Sequence, residues 1–193
     1  MANFISILRV LLAFVVIALL TCVPKELGTY WLAFALTAMV MWMDGLDGYV
    51  ARKFNLVSDF GAMLDILSDR IVELTYWIAF AVWLWVPLWI PILVMTRGIA
   101  VDGLRAVAKE KGFTAFGSNT MMQSPLGVLL VSSRFSRWTY AVTKALAFAL
   151  LILAHAPNAD SNLLGVAMTC TYVAVGFCVV RGLPVLLEAR RFI

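Results

Sequence analysis

Charge is what this sequence has least of. Of its 193 residues only 13% are Asp, Glu, Lys or Arg, while 63% are hydrophobic. Soluble domains carry about 25% charged and about 45–50% apolar residues. A water-facing globule of this size is excluded, and a lipid bilayer is the natural solvent. Cysteine is sparse too, with Cys22, Cys170 and Cys178 only. None pairs in a C-x-x-C spacing, so neither a zinc ligand set nor a disulfide framework is indicated. All three sit in or beside apolar stretches, as packed or lipid-facing thiols do. There is no internal repeat, no low-complexity tract and no stretch resembling a nucleic-acid module. The net charge of +4 therefore reports membrane topology rather than a nucleic-acid partner. Arg9 interrupts the first apolar run, and no clean small-x-small cleavage site follows Leu20. That run is expected to be a retained first span rather than a cleaved leader.

What is present is a series of long apolar runs. A helix needs about 20 residues to cross the bilayer. The sequence predicts an all-α bundle of six transmembrane helices in one domain over residues 1–193. The spans are expected at about Phe4–Cys22, Tyr30–Gly45, Gly61–Trp83, Leu88–Val107, Trp138–His155 and Leu163–Leu187. Turn signals separate them: Pro24 and Gly28, Asn55 to Ser58, Pro87 and Pro91, and Pro157 with Asn158 and Asp160. Between Lys109 and Arg137 the apolar patch Leu126–Val131 is too short to span and suits a short interfacial or re-entrant piece. Lys and Arg set the orientation. Arg52 and Lys53, the Lys109–Arg137 segment, and Arg190 and Arg191 alternate onto one side, which is expected to be cytoplasmic with both termini. The only histidine, His155, then falls on the far side as a surface residue.

One stretch breaks the apolar pattern. Asp44 and Asp47 are three apart, and Asp65 and Asp69 are four apart, so each pair shares a helix face. Gly61 continues the second row one turn earlier. A short loop joins these spans, so the two pairs are expected to face each other near the cytoplasmic end. Each carboxylate inside a span costs at least about 2.5–3.5 kcal/mol near the centre. Divalent cations relieve the repulsion of four together, and hard oxygen ligands suit Mg²⁺ or Mn²⁺. Two such ions can clamp a phosphoryl group. Gly48 and Ala51 leave room for a diphosphate, and Arg52 offers a fork of donors to phosphate oxygens. Ion pairing with Arg52 and Arg70 accounts for the charge, but not for the glycines or the excess of acids. A cation path through the bundle does not require Gly48, Ala51, Arg52 and Gly61 at those spacings.

The pattern Asp44-x-x-Asp47-Gly48-x-x-Ala51-Arg52, eight residues, Gly61-x-x-x-Asp65-x-x-x-Asp69 resembles the signature of the CDP-alcohol phosphotransferase family. Every specified position is matched, and the six-span layout agrees. The resemblance implies two divalent ions holding the diphosphate of a CDP-lipid. It makes Asp44, Asp47 and Asp65 metal ligands, and Asp69 both a ligand and the general base. It places Gly48, Ala51, Arg52 and Gly61 along the CDP moiety. The acceptor hydroxyl attacks the lipid-side phosphorus and CMP leaves. Asn3, Ser6 and Arg9 lie on roughly one face of the first span and match an N-terminal segment of similar proteins, which places them near the nucleotide or its phosphate. The alternative is a helix cap with an interfacial arginine. A homodimer in a bacterial inner (cytoplasmic) membrane is also implied.

Acceptor choice lies outside the signature. Arg97 and Arg105 are eight apart on one face, and Lys144 lies in the next span. Intramembrane cations mark functional sites, and these three suit a phosphorylated acceptor. The row resembles phosphatidylglycerophosphate synthases, which implies CDP-diacylglycerol as donor and glycerol 3-phosphate as acceptor. Inositol phosphate or another alcohol is the alternative. Two features depart from that pattern: a longer stretch between Arg105 and Lys144, and Arg70 where a lysine is common. Asp102 is a possible partner for Arg105. Arg134, Arg137 and Arg181 read as topology charges that could also join the pocket.

Overall fold

The computed structural model describes residues 2–53, 59–113, 122 and 124–189. Among them every regular element is helical: α1 (Ala2–Cys22), α2 (Leu27–Lys53), α3 (Asp59–Val82), α4 (Trp89–Glu110), the short α5 (Pro125–Gly127), a π-helical turn (Val128–Ser132), α6 (Arg134–Ala154) and α7 (Ser161–Glu188). The all-α expectation holds, and each expected span falls on one long helix. α2 differs most, running on to Lys53 where the span was expected to end at Gly45. Hydropathy reports where lipid ends, whereas backbone hydrogen bonding carries the helix onward. The Leu126–Val131 patch forms only α5 and the π-turn.

Among the described residues three helices are long and apolar enough to cross a membrane by length and composition: Asn3–Cys22, Phe135–Ala154 and Ser161–Glu188. The six expected spans stand at three by this measure. α2, α3 and α4 are 27, 24 and 22 residues long, and mix charged and aromatic residues into their apolar runs.

The chain divides into two compact units, Met1–Leu88 with Ala145–Met168, and Trp89–Lys144 with Thr169–Ile193. In the first, α1 packs against both α2 and α3. Its inward stripe is Ser6, Arg9, Ala13, Val16 and Leu20, all buried, while Phe4, Ile7, Leu11 and Phe14 point outward. Tyr76 stacks on Phe148 at 4.9 Å, and Trp77 meets the same ring edge-on at 4.8 Å. Tyr76 Oη shares a 3.0 Å hydrogen bond with Thr37 Oγ1, which ties α3 to α2 and satisfies both buried hydroxyls. Beyond α3, Leu84 has a positive φ of 60°. Leu84 N–H donates to the Ala81 carbonyl at 3.0 Å, and Trp85 N–H to that of Phe80 at 2.8 Å. This closes α3 as a glycine would, with Trp85 stacked on His155 at 4.2 Å.

In the second unit the core is Val101, Ala108, Met122, Val131 and Val185, with Leu104 and Phe113 packed against it. α4 ends on Gly112 at φ 83°. Gly112 N–H donates to the Lys109 carbonyl and Phe113 N–H to that of Ala108, each at 3.0 Å. This cap needs the left-handed backbone that glycine adopts without penalty, and it delivers Phe113 to the core.

His155 lies just beyond α6, where its Nδ1 pairs with the Leu151 carbonyl at 2.9 Å. Burial holds the imidazole pKa below its ordinary value, and that carbonyl opposes part of the shift. The unfolded chain therefore protonates first as pH falls. Stability is full above the unfolded value of about 6.5, and is lost as pH falls through it toward the folded value. His155→Phe should keep the stack on Trp85 and flatten this acid slope. Thermal unfolding in detergent between about pH 7.5 and 5.5 measures it, and an unchanged slope contradicts the assignment.

Candidate active site

Because α2 continues through the signature, Asp44, Asp47, Gly48, Ala51 and Arg52 fall at i, i+3, i+4, i+7 and i+8 on one stripe. Gly61, Asp65 and Asp69 form an i, i+4, i+8 row on α3. The signature is thus two helix faces written as a spacing. The side chains of Asp47, Ala51 and Arg52, and the surroundings of Gly48, lie outside the described residues.

Asp44, Asp65 and Asp69 converge on Arg9 of α1. Arg9 Nη1 donates to Asp44 Oδ1 and Nη2 donates to Asp69 Oδ1 at 2.5 Å. Asp65 Oδ1 stands 4.0 Å from Nη2. The guanidinium is 1% exposed, whereas the three carboxylates keep 38–46% of their surface. The arginine is therefore the floor of the cluster and the acids its open rim. A buried guanidinium is stable only with such partners, since desolvation costs several kcal/mol per ion. The neighbouring Arg70 donates to Glu73 Oε2 at 3.1 Å, and Glu73 is buried.

The donor chemistry fits a hard divalent cation: the ligands are oxygens, on two helices, in excess over the one arginine among them. Among the described residues no three His, Cys, Asp or Glu side chains form a ready metal-ligand group. The carboxylates of Asp44, Asp65 and Asp69 are drawn to Arg9. Ser6 is buried one turn before Arg9, with Asn3 half-buried a turn earlier on the same face.

The second unit gathers cations. Arg181 of α7 is buried and lies within electrostatic reach of Arg97, Arg105 and Arg137. Arg181 Cζ sits 5.3 Å from the Tyr140 ring centre, and Lys144 Nζ sits 5.4 Å from it. The ring faces both cations, a geometry that offsets part of their desolvation. Arg105 Nη1 lies 3.8 Å from Asp102 Oδ1, so the pairing suspected from sequence is present at the outer limit of an ion pair. The Nε atoms of Arg97 and Arg181 are buried without a hydrogen-bond partner among the described residues. Arg97 and Arg105 of α4 thus both act on Arg181 of α7. Arg137 and Arg181, read from sequence as topology charges, join them, and the Arg134 side chain lies outside the described residues.

Sequence reasoning missed two contacts. The Arg9–carboxylate cluster had a signal, since Arg9 keeps register with Ala13 and Val16 on an inward stripe. The Tyr140 platform had a weaker one, its i, i+4 spacing to Lys144.

The family model of the CDP-alcohol phosphatidyltransferases matches residues 1–180, and the chain belongs to that family. It is 41% identical over 69 residues to the CDP-diacylglycerol–glycerol-3-phosphate 3-phosphatidyltransferase of Bacillus subtilis, covering 36% of each chain. It is 26% identical over 113 residues to a probable phosphatidylglycerophosphate synthase of Mycobacterium tuberculosis, covering 58% of this chain and 54% of that one. A match of 57% over 37 residues, 19% of this chain and 18% of the other, links it to the CDP-diacylglycerol–serine O-phosphatidyltransferase of Methanocaldococcus jannaschii. The chain spans about a third of the length of the first relatives it matches, 36%, 30% and 31%.

Arg97 lies across the backbone of α7 at Gly182, where an added Cβ would meet Arg97 Nε at 2.8 Å and Cγ at 2.9 Å. Gly182→Ala should destabilise the protein by about 1–3 kcal/mol through overpacking. Arg97→Ala in the same chain should relieve most of that loss. Thermal unfolding of the two single variants and the double variant checks this, and additive losses would show that the contact is not the cause.

Proposed function

We propose that this chain transfers the phosphatidyl group of CDP-diacylglycerol to glycerol 3-phosphate and releases CMP. The convergence of Asp44, Asp65 and Asp69 from two helices, inside a complete family signature, carries the reaction class. The arginine cluster supports a phosphorylated acceptor, because guanidinium forks match phosphate oxygens. The name of the Bacillus relative agrees with that acceptor.

In this reading Asp44, Asp47, Asp65 and Asp69 hold two divalent ions, Mg²⁺ or Mn²⁺. When bound, those ions neutralise charge on the diphosphate and on the departing CMP. Gly48, Ala51 and Gly61 leave space for the cytidine diphosphate, Arg52 donates to its phosphates, and Asn3 and Ser6 reach the nucleotide. Arg97, Arg105 and Lys144, joined by Arg137 and Arg181, hold the acceptor phosphate. Asp69 takes the proton of the acceptor hydroxyl as that oxygen bonds to the lipid-side phosphorus. The bond from that phosphorus to the bridging oxygen breaks, and CMP leaves with the oxygen. Positioning and charge stabilisation supply most of the rate.

α2, α3 and α4 complete a six-span domain over residues 1–193. Each reaches 30 Å at about 1.5 Å per residue, and the alternation of Lys and Arg places the acidic cluster and both termini on the cytoplasmic side. A homodimer in a bacterial inner membrane follows from the family resemblance.

The test is release of CMP from CDP-diacylglycerol by purified protein in detergent with Mg²⁺, against glycerol 3-phosphate, inositol phosphate, serine and no acceptor. Serine is included because one matched relative carries that acceptor in its name. Release should require glycerol 3-phosphate and a divalent ion, and fall about 10²–10⁴-fold in Asp69→Asn. Arg181→Ala should raise KM for the acceptor more than it lowers kcat. Release with another acceptor keeps the mechanism and overturns the substrate. Metal-independent release overturns the metal site.

A further inference from the structure

Arg9 is a permanent charge placed where its helix presents its buried side. The neighbours on that stripe, Ser6, Ala13, Val16 and Leu20, are small or apolar, and Arg9 is outside the eight-residue signature. A guanidinium keeps its proton at any accessible pH, so its burial at 1% exposure demands carboxylates nearby. The carboxylates have the converse problem, since three acids from two helices repel unless a cation lies between them. The planar fork answers both. One nitrogen serves Asp44 on α2, and the other serves Asp69 on α3 with Asp65 at 4.0 Å, which binds α1, α2 and α3 at one point. Asp44 Oδ1 and Asp69 Oδ1 are also oxygens that a divalent ion at this cluster needs.

We propose that Arg9 is the resident counter-cation of the acidic cluster. It holds Asp44, Asp65 and Asp69 together in the metal-free protein and yields their oxygens to divalent cations, so metal uptake is an exchange of one cation for another. This rests on reading the cluster as a metal site. Two effects follow with opposite signs. Loss of the Arg9 charge weakens the metal-free protein, because the carboxylates then repel. It strengthens divalent binding, because the ion no longer competes with a fixed positive charge and relieves more repulsion when it binds.

The experiment uses the full chain in detergent micelles. Unfolding is followed by circular dichroism with EDTA and across a Mn²⁺ titration, and free Mn²⁺ is counted by electron paramagnetic resonance. Arg9→Gln should lower Tm in EDTA by several degrees, tighten the Mn²⁺ Kd by about tenfold or more, and enlarge the gain in Tm on adding Mn²⁺. Arg9→Lys keeps the charge but not the fork, and should move both readouts less, in the same directions. An Arg9→Gln protein that folds only with Mn²⁺ present supports the exchange directly. An unchanged Tm in EDTA, or Mn²⁺ binding that is unchanged or weaker, overturns it. If Arg9→Gln folds under neither condition, Arg9→Lys decides: a lysine variant that folds in EDTA and takes up Mn²⁺ supports the counter-cation role, because the charge is what it retains, and one that also folds under neither condition overturns it. A parent protein that takes up no Mn²⁺ sinks the metal reading and the exchange with it, while the EDTA arm still judges Arg9 as a counter-cation.

Discussion

A charge inside an apolar helix bundle is tolerated only beside something that compensates it, and this constraint organises both units of the molecule. In the first, the guanidinium of Arg9 and the carboxylates of Asp44, Asp65 and Asp69 are each other's justification. The buried guanidinium depends on the acids, and the half-exposed acids gain from the charge between them. One turn along α3 the same rule pairs Arg70 with the buried Glu73. In the second, where arginines outnumber acids, an aromatic face does part of the work: Tyr140 lies against both Arg181 and Lys144.

The two units thereby hold opposite chemistries. The unit that holds the acids has a core of packed rings, the buried Tyr76, Trp77, Phe80 and Phe148. The cations sit on helices around an aliphatic core of Val101, Val131 and Val185. Acids suit a metal-bound diphosphate, and arginines suit a bare phosphate, so the proposed donor and acceptor call on different parts of one chain.

The helices were legible because apolar runs of bilayer length leave little choice of element, and Pro24, Pro87 and Pro157 punctuate them. The acidic cluster was legible because its members are near in sequence and fall on two helix faces. What escaped notice depends on contacts between residues far apart in the chain. Arg9 and Asp69 are 60 positions apart, and no local pattern announces their bond. For Arg137 and Arg181 the sequence left topology charge and pocket residue both open, because counting Lys and Arg along a chain weighs their place in the sequence and not their burial. The end of α2 was misjudged for a related reason: Asp47 and Arg52 end an apolar run without breaking a hydrogen-bond ladder.

That uninterrupted ladder has a consequence for how such a sequence can change. Each residue of an α-helix turns the next by about 100°. The stripe of Asp44, Asp47, Gly48, Ala51 and Arg52 is therefore a phase relation as much as a set of identities. Gaining or losing a single residue between Gly48 and Ala51 leaves every signature residue in place by name, yet swings Ala51 and Arg52 away from Asp44. Within this stretch of α2 a change in length breaks the phase on which the signature depends.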